Sequence, residues 1–251
     1  MRAFQGIWLL TWKSRLSPRQ LPSLIAWILA IPLLAYFTLP AQPQAARAGY
    51  FFWTVNFFTM LVVPLYCLSA FGALIRDEIQ ADTLRFLITR PVKRLVLFAL
   101  KFVCLVIFIE LIVLSCALLL LGVGFAHKIS DLGSFCLWFL GSQVLAVLAY
   151  GGLSALLGLT NKRYLVVGVV YGFIVEAGIG LIPTNINNIS ISRHLRTLLA
   201  NHPAVRDLYS WVPDGTSFSA LMLLAGTVLF VAAGAALFTL REYHPADEMQ
   251  K

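Results

Sequence analysis

Charge is scarce in this chain, and unevenly so. Only 12% of its 251 residues are charged, and none lies from Gln20 to Ala46, Ala48 to Ile75, Leu132 to Asn161 or Gly215 to Leu240. A soluble domain carries about 25%, so a water-soluble globular fold is excluded. Each run exceeds the roughly 20 apolar residues that cross a bilayer as a helix. Strand-like alternation is missing too, which argues against a membrane β-barrel. Signatures of catalysis are equally sparse. There is no HExxH metal motif, no GxxxxGK[ST] phosphate loop and no histidine in the middle of a run. Cys67, Cys104, Cys116 and Cys136 all sit in apolar stretches without ligand spacing. They read as small apolar side chains. Ser154, in GGLSALLG, has no base on any run to activate it. With Gly151, Gly152 and Gly158 it reads instead as a site of close helix approach.

What remains is an all-α polytopic membrane protein. Four spans follow from the charge-free runs, at 21–39, 51–75, 132–160 and 217–240. Two more carry an ionisable residue, at 95–126 with Lys101 and Glu110, and at 164–183 with Glu176. The expectation is six transmembrane helices in one domain, with an extracytoplasmic loop at 184–216 and a tail at 241–251. With both termini cytoplasmic, thirteen Lys and Arg fall inside and five outside, as the positive-inside rule requires. The net charge of +8 is thereby accounted for without a nucleic-acid partner.

Residues 1–19 are too polar to span. Phe4, Ile7, Trp8, Thr11 and Trp12 share one side, flanked by Arg2, Lys13 and Arg15, so an interfacial N-terminal helix with its indoles at the headgroups is expected. In the 184–216 loop, Leu195, Leu198 and Leu199 predict a short amphipathic helix on or in the outer leaflet. His194 and His202 there read as polar loop residues.

Acids inside spans are costly, about 2.5–3.5 kcal/mol on insertion scales, and usually face a partner or a cavity. Glu110 lies near the middle of its span. Lys101 lies near the cytoplasmic face, where its stem can snorkel. Glu176 approaches the outer end of its span, within reach of backbone amides in the following loop. Each acid fits a structural hydrogen-bonding role or a proton-handling one.

One segment breaks the apolar pattern, RDEIQADTLRFLITRPVKR from Arg76 to Arg94. Ile75, Ile79, Leu84 and Leu87 can form one side of a short helix that Pro91 ends. Glu78, Thr83, Leu84, Leu87, Arg90, Pro91, Val92, Arg94 and Lys101 resemble the first cytoplasmic loop of ABC-2 type permeases, with Asp82 in place of the usual Gly. Glu176, Pro183 and SISRHLRTL (Ser190 to Leu198) are similar to a second pattern before the last helix of some of them. The resemblance implies that 76–94 is a coupling helix between helices 2 and 3, docking on an ATPase through Glu78, Thr83, Leu84, Arg90, Pro91 and Arg94. It further implies two ABC ATPase subunits, a second permease copy or related permease, and surrounding membrane lipid. ATP and Mg would sit on the partner ATPase, leaving this chain without cofactor, metal or catalytic residues, in a bacterial inner membrane. The alternatives are a proton-coupled carrier using Glu110 and Glu176, or a membrane scaffold that transports nothing.

Overall fold

The computed structural model describes residues 21–40, 42–76, 93–178, 188–206 and 213–240, together with Gly6, Trp8 and Trp12. All regular structure among them is helical. In chain order the elements are α1 (Leu21–Thr38), α2 (Pro43–Phe51), a π-helical stretch (Phe52–Val62), α3 (Val63–Gly72), α4 (Arg94–Ala126), α5 (Leu132–Thr160), α6 (Tyr164–Tyr171), a second π-helical stretch (Gly172–Gly178), α7 (Ile191–Ala200), α8 (Pro203–Arg206) and α9 (Thr216–Leu240). Among the described residues, five helices are long and apolar enough to cross a membrane: Leu21–Thr38, Gln44–Gly72, Arg94–Ala126, Leu132–Thr160 and Thr216–Leu240. Tyr164–Glu176 is a shorter apolar helix. The chain is an integral membrane protein.

The second long helix begins at Pro43, some two turns before the expected 51. Proline suits a first helical turn, where its missing N–H has no partner to lose. Arg47, assigned to a loop by its charge, is inside this helix and donates from Nη2 to the Ala204 carbonyl at 3.2 Å. Its guanidinium is thus satisfied by tertiary structure. Further along, Pro64 cannot donate an N–H, and the turn before it is widened: the Val63 amide reaches back to the Phe58 carbonyl. The Thr59 hydroxyl donates to the Thr54 carbonyl at 2.8 Å and accepts from Gln143 Nε2 at 2.9 Å. The π geometry therefore aims a polar side chain from one helix at another, inside an otherwise apolar core.

α5 is the hub of the bundle, packing against α3, α4, α6, α7 and α9. Its small residues make this possible. A Cβ on Gly158 would collide with the backbone carbonyl of Gly72, and one on Gly151 would meet the Phe71 ring at 3.0 Å. The glycine cluster is therefore a helix-crossing surface, and Ser154 is buried within it. At the same end, Arg76 Nη1 donates to the Asn161 carbonyl at 3.2 Å. Lys101 Nζ donates to the Leu74 carbonyl at 3.4 Å, placing a cation beside the C-terminal end of α3, where the helix dipole favours it. All four cysteines are free thiols, and Cys67, Cys104 and Cys116 are buried.

Trp12 stacks on Trp8 with ring centroids 5.1 Å apart and packs edge-on against Phe108 at 5.5 Å. Phe108 is fourteen residues into α4, about 21 Å by rise. This indole is therefore held by the bundle rather than free in the headgroup plane. The rest of the expected interfacial helix lies outside the described residues.

Candidate functional site

At the end of the bundle opposite the Gly72–Gly158 crossing, α7 packs against α5 and α9. Its amphipathic pattern buries Leu195, Leu198 and Leu199, because nonpolar residues at that spacing fall on one helical face. Helix α7 is not a surface feature resting on lipid: eight of its ten residues are buried. The two histidines are buried as well. His194 Nε2 lies 2.9 Å from the Asn188 carbonyl. His202 Nδ1 accepts from the Ala204 amide at 3.2 Å, and its ring packs against Phe135 and Trp138. Loop position hid their role, which is to close the chain on either side of α7. Burial pushes the His202 pKa down, opposed by the charge of Asp131.

The N-terminus of α7 is closed by Glu176. Ser190 Oγ donates to Glu176 Oε2 at 2.8 Å, the Ile191 amide to Oε1 at 3.2 Å and the Ser192 amide to Oε2 at 2.7 Å. Ser192 Oγ donates to the Glu176 main-chain carbonyl at 3.3 Å. Ser190 is also the N-cap, accepting from the Arg193 amide at 3.3 Å. The first three amides of α7 are thereby occupied, and the carboxylate faces the positive end of the helix dipole. The loop amides from which Glu176 was expected to accept are these donors. Arg193 completes the closure, donating to Asn188 Oδ1 and to Asp214 Oδ2, each at 2.8 Å. Asp214 in turn receives Asn201 Nδ2 on its carbonyl at 2.9 Å.

Between α3, α5, α6 and α7 lies a cavity of about 170 Å³. Leucines from three elements, Tyr150, Ser154, Phe173, Glu176, Ser192 and Arg196 line it. Sequence reasoning gave neither Tyr150 nor Arg196 a role of its own: Tyr150 sits in an apolar run, and Arg196 entered as loop charge and as part of SISRHLRTL. The available signal was Ser190, an N-cap residue just before the apolar pattern, which implies a helix able to aim Arg196.

Glu110 lies apart. It does not line this cavity, and both its carboxylate oxygens are buried without a hydrogen-bond partner. Lys101 is engaged with Leu74, so these two do not meet, in keeping with their nine-residue spacing. Of the residues expected to dock on an ATPase, Arg94 opens α4; Glu78, Thr83, Leu84, Arg90 and Pro91 lie outside the described residues.

A bundle of long apolar helices packed around a glycine-lined hub defines a polytopic helical membrane protein. Residues 12–178 match the model of the ABC-2 family transporter proteins. The chain belongs to that family. No curated protein matches it. Nothing at the acids supports the proton-coupled alternative: Glu176 is occupied by the α7 N-terminus, and Glu110 stands outside the cavity.

Proposed function

We propose that the chain is the membrane half of an ATP-driven exporter, working as a pair of permeases with two separate ABC ATPase subunits that carry ATP and Mg. The observation that carries this reading is the family match, which spans the segment between Arg76 and Arg94. The anchoring of that segment is in keeping with it. Arg76 is tied to the α5–α6 turn, and α4 is tied through Lys101 to the end of α3. A force applied to the 76–94 segment by closing ATPases would pass directly into α3, α4 and α5. Glu78, Thr83, Leu84, Arg90, Pro91 and Arg94 form the docking surface.

In this reading Tyr164–Glu176 and the residues after it make a sixth span, both termini are cytoplasmic, and the membrane is a bacterial inner membrane. The test is co-purification with an ABC ATPase from the same source, followed by ATPase assays in proteoliposomes. Glu78→Lys and Pro91→Ala should uncouple hydrolysis from the permease while leaving it folded. Wild-type stimulation by both variants, or transport by a lone permease monomer, overturns the proposal.

A further inference from the structure

Two polar groups lining the α3–α5–α6–α7 cavity have nothing to bond. The Tyr150 hydroxyl is buried without a partner, on a side chain only 4% exposed. Arg196 Nε is likewise buried and unpaired. Glu176, Tyr171 and Arg196 all lie within electrostatic range of Tyr150. A cation and a hydroxyl donor held in an apolar wall are costly unless something accepts from them. Glu176 is not that acceptor, because its charge is directed to the α7 amides. Ser154, Tyr171 and Ser192 add polar atoms to the wall, and most of the remainder, including Leu65, Leu153 and Phe173, is hydrocarbon.

We propose that this cavity binds a single-chain amphiphile with an anionic head, a fatty-acid-like carboxylate, paired with Arg196 and hydrogen-bonded by Tyr150. The volume sets the chain number. An apolar cavity of about 150 Å³ accommodates one benzene, so about 170 Å³ takes one stretch of acyl chain and excludes the two chains of a phospholipid. The route of entry is lateral: Leu65 and Phe173 line the cavity and are 41% and 72% exposed on the apolar flank of the bundle. A guanidinium provides a planar fork suited to a carboxylate, which an alcohol head does not satisfy. The site requires no ATPase, so it is testable independently of the transport reading.

The experiment uses the full chain in phosphatidylcholine nanodiscs at pH 8 with a diazirine-bearing palmitate, crosslinked by light and mapped by mass spectrometry. Labelling should fall on peptides covering 60–68, 150–157 and 168–176. Unlabelled palmitate should displace the probe at least about tenfold more effectively than hexadecanol, the difference expected of one charge-assisted bond. Arg196→Gln should weaken labelling by a similar factor, Arg196→Lys by less, and Tyr150→Phe a few-fold. Equal competition by hexadecanol overturns the proposal, and this comparison on the wild-type chain needs no variant to fold. Full labelling of a folded Arg196→Gln protein overturns it also. Displacement of the probe by phosphatidylglycerol in the nanodisc refutes the single-chain assignment.

Discussion

Replacing Glu176 with alanine should unlock the first turn of α7. The carboxylate accepts from Ser190 Oγ at 2.8 Å, the Ile191 amide at 3.2 Å and the Ser192 amide at 2.7 Å. A hydrogen bond to a charged group is worth about 1.5–3 kcal/mol net, and a carboxylate at a helix N-terminus adds up to about 1 kcal/mol. The three bonds share one group and do not add. Removing the partner of buried donors costs about 3–5 kcal/mol as a whole. Glu176→Gln keeps one carbonyl acceptor but loses the charge, and should cost about 1–2 kcal/mol. Amide hydrogen exchange of the purified protein reads the effect locally. A loss of about 3 kcal/mol in local opening free energy speeds exchange on the order of 100-fold. The accelerated amides should be those of Ile191 to Arg193, with α4 and α5 unchanged. Wild-type exchange across 190–200 in a folded Glu176→Ala protein would refute the capping account.

Three further outcomes follow from particular contacts. Gly158→Ala should destabilise by about 1–3 kcal/mol through overpacking, and more than Gly72→Ala. The first added Cβ meets a backbone carbonyl, the second only the movable Tyr164 ring; thermal unfolding of the two proteins side by side decides the order. His202 titrates below its usual 6.5 because it is buried. The unfolded chain therefore binds the extra proton first, so stability should be full above about pH 6.5 and fall as pH drops below it. Melting temperatures at pH 5 and pH 8 should converge in His202→Gln relative to wild type. Glu110→Leu should melt at or above the wild-type temperature, since both carboxyl oxygens are buried without a partner and burying an unbonded polar group is unfavourable. A clear drop would mean that Glu110 has a partner in the working complex.

Much of the architecture was legible because a bilayer tolerates few errors of pattern. α5 begins and ends beside the charges that bracket its apolar run, Asp131 and Lys162. Desolvation makes any other boundary expensive. Charge was a poorer guide where protein rather than water or lipid satisfies it. Arg47 looked like a loop residue and proved helical, because the Ala204 carbonyl, 157 positions away, accepts from it. His194 and His202 looked solvated and are buried, because their ring nitrogens find main-chain partners brought close by α7.

The sequence by itself determined that this chain is a helical membrane protein and where its long apolar runs lie. Those properties depend on composition and on periods of a few residues, which no tertiary contact can reverse. Only the tertiary structure decided what the polar residues inside the spans do. Glu176 closes a helix fifteen positions further along the chain, Glu110 is left without a hydrogen-bond partner, and Tyr150 and Arg196 face one cavity from different helices. Hydrogen bonds act over about 3 Å, and which groups come that close depends on how α5, α6 and α7 pack.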